Sequence, residues 1–151
     1  QVRWNQPQSY IHPTGGLGLG LGLALGAKLA APQRTVVALE GDGSLLYNPI
    51  VPALGTAREY NLPILIVVFN NGGYGVMKRT HLDFYPEGAV AGSGVFHGVD
   101  IAGPNYARLV EPFGGYGERV EDPEKLKPAL HNALAAVNEG RVALLDVVLV
   151  A

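Results

Sequence analysis

The chain has 151 residues, 48% of them hydrophobic and 16% charged, with a formal net charge of −2 at pH 7. That is enough apolar material for one domain with a real core, since chains of this size bury about 70% of their unfolded surface. The composition excludes intrinsic disorder, the charge argues against a nucleic-acid or anionic-membrane surface, and the lack of cysteine excludes disulfides, thiolate metal sites and cysteine nucleophiles.

Glycine is the outlier, with 21 residues, 14 of them clustered at 15–26, 41–43, 72–75 and 114–117. That is about twice the usual share, and without a collagen-like triplet it marks places of close backbone approach. The first fourteen residues read as irregular, with Pro7 and Pro13 as breakers, and the polar opening lacks the charged-then-apolar layout of a signal peptide. A helix is expected from Gly15 to Ala31. Its apolar run ends at Lys28 after 13 residues, short of the roughly 20 that span a bilayer, so a buried helix is expected. Gly18, Gly22 and Gly26 lie four apart, as do Gly16, Gly20 and Ala24. Each glycine costs a helix about 1 kcal/mol relative to alanine, so these stripes are expected to pack against another chain, domain or ligand.

Pro32 closes that helix. Thr35–Leu39 reads as a short buried strand running into Glu40-Gly41-Asp42-Gly43-Ser44. A helix over about Asn48–Tyr60 and a turn at Asn61-Leu62-Pro63 lead to a second apolar strand, Ile64–Phe69, which ends in Asn70-Asn71-Gly72-Gly73-Tyr74-Gly75. Both strands are apolar on consecutive residues, the pattern of a parallel sheet covered on both faces. Residues 82–104 read as a long loop, followed by a short helix near Asn105–Phe113 and a short strand, Tyr116–Val120. The last helix has Asp122 as N-cap, Pro123 at its first position and Glu124 near its positive end. Leu126, Leu130, Ala133, Leu134 and Val137 form its expected core stripe, Gly140 stops it, and Val142–Val150 is the final strand. This alternation predicts a single α/β domain over residues 1–151, with a mainly parallel sheet and helices on both faces.

The polar clusters at 41–44 and 70–75 each follow an apolar strand, and open parallel sheets bind ligands outside the carboxyl ends of their strands. Asp42 offers a carboxylate, Asn71 an amide oxygen and the glycine-flanked turns bare carbonyls, a donor set that suits Mg²⁺ or Ca²⁺. Ser44 stands at the expected entrance to a helix, where a hydroxyl and nearby amides hold phosphate. Asp-Gly and Asn-Gly are also common turn pairs, but both clusters together, each after a buried strand, favour a site. A dinucleotide fingerprint fails, because its third glycine falls on Leu21, Leu23 or Leu25, and no Gly-Lys-Ser/Thr of a P-loop is present.

Gly41-Asp42-Gly43-Ser44 followed by Asn70-Asn71, with Gly15-Gly16-Leu17-Gly18 upstream and Gly72-Gly73-Tyr74-Gly75 downstream, resembles the signature of thiamine diphosphate enzymes. The likeness covers nearly the whole chain and is to the diphosphate-binding domain of the benzoylformate decarboxylase and acetolactate synthase group. It implies that Asp42, Asn71 Oδ1 and the Gly73 carbonyl bind Mg²⁺, and that Gly41, Gly43, Ser44, Tyr74 and Gly75 belong to the diphosphate-binding turns. Gly15 and Gly16 would face the aminopyrimidine, and Leu17 would prop the cofactor in its bent shape. The implied function is half of the active site of a 2-oxo acid decarboxylase or carboligase acting on a 2-oxo acid or aldehyde.

In such enzymes a glutamate on a separate pyrimidine-binding (PYR-type) domain activates the cofactor, and nothing here matches that domain. The resemblance therefore implies a fragment or subunit of a larger cytoplasmic enzyme, a dimer or tetramer, inactive by itself and with no nucleic-acid or membrane partner. Yeast-type pyruvate decarboxylases carry a catalytic glutamate where Met77 stands, so that subtype is disfavoured. Val76 and Met77 are expected to line an apolar substrate pocket or simply to be core. His12 and His81 stand near the expected site, His97 and His131 are expected at the surface, and none is assigned a catalytic role. The alternative is a silent regulatory or assembly module that keeps the fold.

Overall fold

The computed structural model describes residues 9–12 and 15–149. Four strands, β1 (Val37–Gly41), β2 (Leu65–Asn70), β3 (Tyr116–Val120) and β4 (Ala143–Val148), form one sheet in the order β1-β2-β4-β3 with every pairing parallel. Six α-helices are named among the described residues: α1 (Gly20–Ala30), α2 (Asp42–Leu45), α3 (Ile50–Glu59), α4 (Gly75–Phe84), α5 (Ala89–Ser93) and α6 (Pro123–Asn138). A 3-10 helix, Tyr106–Phe113, precedes β3. No helix among the described residues is long and apolar enough to cross a membrane.

The sheet divides the core in two. On one face Ile64, Ile66, Val68 and Leu144 pack with Leu21 and Leu25 of α1, Leu54 of α3 and Tyr106 and Val110 of the 3-10 helix. On the other, Leu65, Val67, Ala143, Leu145 and Val147 pack against α6. The central strands β2 and β4 are thus buried on both faces, which is why they read as continuous apolar runs. The α/β expectation, with helices on both faces, is borne out.

β1 differs from its expected double burial. It is an edge strand with alternating burial, and Val37 and Leu39 are exposed at 46% and 62%. The sheet face carrying them is the α6 face, and α6 packs on β2, β3 and β4.

The expected helix at 15–31 begins only at Gly20, because Gly15 (φ +51°) and Gly18 (φ +79°) have left-handed backbones that break helical continuation. A β-carbon on Gly18 would run into the Tyr47 carbonyl, and one on Gly20 into the Glu40 carboxylate, so both glycines make contacts inside this chain. Gly22 and Gly26 face open space. The proposed stripe through Gly18 and Gly22 therefore does not exist as one surface. Lys28, which ends the apolar run, is buried, with Nζ donating to the Arg34 carbonyl at 2.8 Å.

α6 starts as expected: Asp122 Oδ1 accepts from the Glu124 amide at 2.9 Å, Pro123 opens the helix, and Gly140 follows it at φ +88°. Its fully buried stripe is Ala129, Ala133, Ala136 and Val137, with Leu126, Leu130 and Leu134 only partly buried beside it. Small side chains meet the sheet directly and the leucines flank them. The expected loop at 82–104 instead opens on the end of α4 and holds α5. Pro7, Pro13 and Val150 lie outside the described residues.

Candidate functional site

Parallel pairing puts the ends of β1 and β2 side by side, with Gly41 opposite Phe69 in the register. The chain leaving β1 makes a single helical turn, α2, from Asp42 to Leu45, and α3 starts only at Ile50. Ser44 lies within that short turn rather than at the entrance to a long helix. The chain leaving β2 turns through Asn71 and Gly72 (φ +69°) into α4.

The two turns meet on one amide. Gly73 N–H donates to Asp42 Oδ2 at 3.1 Å and to Asn71 Oδ1 at 3.3 Å, while Asp42 Oδ1 accepts from Gly43 N–H at 2.9 Å. An antiparallel bridge between Gly73 and Asp100 holds this segment, through Tyr74 N–H to the Val99 carbonyl and Ile101 N–H to the Gly72 carbonyl, both at 2.8 Å. That pairing uses the flanking groups and leaves the Gly73 carbonyl out.

Asp42 is only 2% exposed, and no ion pair among the described residues includes it. A buried carboxylate met only by amides is electrostatically incomplete. A divalent cation held by this carboxylate, the Asn71 amide oxygen and a backbone carbonyl would complete it, and one or two protein carboxylates or fewer is the usual Mg²⁺ provision. The donor set therefore fits the ion. No group of three His, Cys, Asp or Glu side chains among the described residues offers a competing centre.

Tyr74 packs its ring where a β-carbon on Gly43 would stand, 2.5 Å from Cε1, so glycine is required for the two turns to close on each other. The ring also meets Tyr47 edge-on at 6.4 Å. Desolvation, then Tyr47 and the Asp42 carboxylate, push the Tyr74 phenol above its ordinary value. Gly75 stands beside the Asn71 amide, its β-carbon position 3.1 Å from Nδ2.

Asp42, Gly43, Asn71, Gly73, Tyr74 and Gly75 are thus brought together. Gly41 and Ser44 adjoin them in the chain. Gly15, Gly16 and Leu17 lie on the surface, Leu17 at 55% exposure, and Val76 and Met77 are exposed on α4, which buries no residue. His12 is exposed beside Tyr10, and His81 packs with Tyr85 and Phe96. His97 and His131 are exposed, as expected.

Two residues that the motif reading passed over organise the site. Asn48 is buried; its Oδ1 accepts from Leu21 N–H at 3.1 Å and its Nδ2 donates to the Ser44 carbonyl at 3.1 Å. It caps α1, whose own N-cap Leu19 supplies no side-chain bond, and ties that helix to the Asp42 turn. Asp146 is fully buried in β4 and accepts from Asn70 Nδ2, Tyr106 N–H and Arg119. A lone carboxylate inside the apolar run Val142–Val150 was the available signal.

A parallel sheet that brings an aspartate and an asparagine from adjacent strand ends onto one amide is an α/β domain with polar turns gathered at the carboxyl ends of its strands, where open parallel sheets bind ligands. The chain belongs to the family described as thiamine pyrophosphate enzyme, C-terminal TPP binding domain, whose model matches residues 1–147. It is 38% identical over 148 residues to the acetolactate synthase large subunit of Buchnera aphidicola subsp. Schizaphis graminum, covering 96% of this chain and 24% of that protein. It is 33% identical over 142 residues to benzoylformate decarboxylase of Pseudomonas aeruginosa, covering 90% of this chain and 24% of that one. Among solved structures it is similar to the thiamine diphosphate-dependent 4-hydroxybenzoylformate decarboxylase of Rhodococcus jostii RHA1, with TM-score 0.66, 34% identity and coverage of 88% and 23% of the two chains. The chain thus spans about a quarter of the length of the curated relatives it matches.

Proposed function

We propose that this domain binds the diphosphate of thiamine diphosphate through Mg²⁺ and forms half of the active site of a 2-oxo acid decarboxylase or carboligase. The observation that carries the proposal is the shared Gly73 amide, which draws the Asn71 amide oxygen to the buried Asp42 carboxylate, itself without a cationic partner among the described residues. Asp42, Asn71 Oδ1 and the Gly73 carbonyl hold the ion. Ser44 and neighbouring backbone amides not engaged within the two turns hold the diphosphate, and Gly15, Gly16 and Leu17 serve the rest of the cofactor.

When bound, thiamine diphosphate supplies an electron sink for breaking a bond next to a carbonyl. This chain's part is to fix the metal and diphosphate and, through exposed Val76 and Met77, to give the substrate an apolar wall. A PYR-type domain or subunit carries the activating glutamate and covers the exposed surface, in a homo-oligomeric enzyme.

Calorimetry of thiamine diphosphate binding to the full-length protein, with and without Mg²⁺, tests this. Binding requires Mg²⁺ in the parent and is severely weakened in Asp42→Ala, which removes the only charged ligand. Unchanged Mg²⁺-dependent affinity in that variant overturns the assignment. Metal-dependent binding also separates this reading from a silent module that no longer takes the cofactor.

A further inference from the structure

The turn that carries Asn71 has little packing of its own: Asn71 and Gly72 are exposed, and the adjoining α4 buries no residue. Its shape rests on hydrogen bonds, to Asp42 and the 99–101 segment on one side and, through Asn70, back into the sheet on the other. Asn70 Oδ1 accepts from Gly72 N–H at 3.2 Å, and Asn70 Nδ2 donates to Asp146 Oδ1 at 2.8 Å. On its other oxygen Asp146 accepts from Tyr106 N–H at 3.1 Å and Arg119 Nη1 at 2.9 Å. Register fixes the rest, since Asp146 lies opposite Val68 in β2 and Arg119 in β3.

We propose that Asp146 is a positioning residue for the metal-binding turn, acting through the Asn70 side chain to set the backbone that presents Asn71 and Gly73. The inference rests on the metal reading above. A buried carboxylate in the middle of a sheet is costly unless its lone pairs are filled. Here three donors fill them, from β2, from β3 and from the 3-10 helix, so the carboxylate locks three elements to one point. Of the three, Asn70 is adjacent in sequence to a proposed ligand, and its own carbonyl oxygen is spent on Leu149 N–H at 2.7 Å. Both ends of Asn70 are therefore anchored to β4 and its continuation. Rotation of the turn requires breaking one of these bonds.

The test is the Mg²⁺ concentration for half-saturation of thiamine diphosphate binding in the full-length protein, measured beside the thermal midpoint of the cofactor-free protein. Asn70→Ala and Asp146→Asn each raise half-saturation about 10- to 100-fold, the usual effect of losing a residue that orients a metal ligand. The double variant is within roughly twofold of the worse single variant, because both act through one bond. Val137→Ala, in the core of the opposite sheet face, lowers the midpoint and leaves half-saturation unmoved. Should Asp146→Asn fail to fold, Asn70→Ala decides alone. Parent-like half-saturation in Asn70→Ala, or an equal shift in Val137→Ala, overturns the positioning role. Absence of Mg²⁺-dependent binding in the parent overturns the metal reading and this inference with it.

Discussion

Gly73 donates its amide proton to Asp42 Oδ2 at 3.1 Å across 31 positions of sequence, and this bond joins the turn after β1 to the turn after β2. The contact is possible because Tyr74, the next residue, lays its ring over Gly43, the residue after Asp42. Gly43→Ala would force the ring or the turn to move. Overpacking of this kind costs about 1–3 kcal/mol, and the displacement falls on the site itself. Thiamine diphosphate affinity, measured by calorimetry on the full-length protein, is expected to drop; parent-like affinity would show that the ring does not brace the turn.

Two glycines that look alike in the sequence are expected to behave in opposite ways. Gly22→Ala fills open space inside α1 and stabilises by about 0.5–1 kcal/mol. Gly18→Ala meets the Tyr47 carbonyl with a left-handed backbone at φ +79° and costs about 1–3 kcal/mol. Thermal melts of the two full-length variants check the contrast. Destabilisation by Gly22→Ala would mean that another surface covers that stripe.

Asn48→Ala removes the only side-chain bond to the first turn of α1 seen among the described residues and frees the Ser44 carbonyl. Loss of such a cap costs about 1 kcal/mol. The expected result is a lower midpoint in chemical denaturation with an unchanged slope.

The 151-residue chain alone is expected to have no turnover. None of its eight glutamates stands in a context matching the activating one. A decarboxylation assay on the purified chain, alone and with the remainder of the enzyme supplied separately, checks this. Robust activity of the chain alone would contradict it, whereas activity restored by a second polypeptide would identify a split enzyme.

Much of this fold was legible because burial left a periodic record. β2 and β4 are covered on both faces and read as apolar runs, broken in β4 only by Asp146, and α6 announced itself through Asp122, Pro123 and Gly140. α4 left no such record: it buries nothing, so Gly75–Phe84 carries no apolar stripe, and the following segment passed for a loop. The start of α1 was misplaced because the left-handed backbone of Gly18 is a tertiary requirement, set by Tyr47, that the glycine run does not reveal. At the site, Asp42 and Asn71 were legible from motif spacing. Asn48 was not, since its cap on α1 reaches 27 positions away, and Asp146 showed only as a lone carboxylate in an apolar run, its partners lying 27 to 76 positions away.

Anomalous diffraction from crystals of the full-length protein grown with Mn²⁺ and thiamine diphosphate decides whether Asp42 and Asn71 hold the metal. One metal peak per site is expected, within bonding distance of Asp42, Asn71 Oδ1 and the Gly73 carbonyl, the oxygen donor set that suits such an ion. A cofactor bound with its metal elsewhere, or with no metal against Asp42, would contradict it.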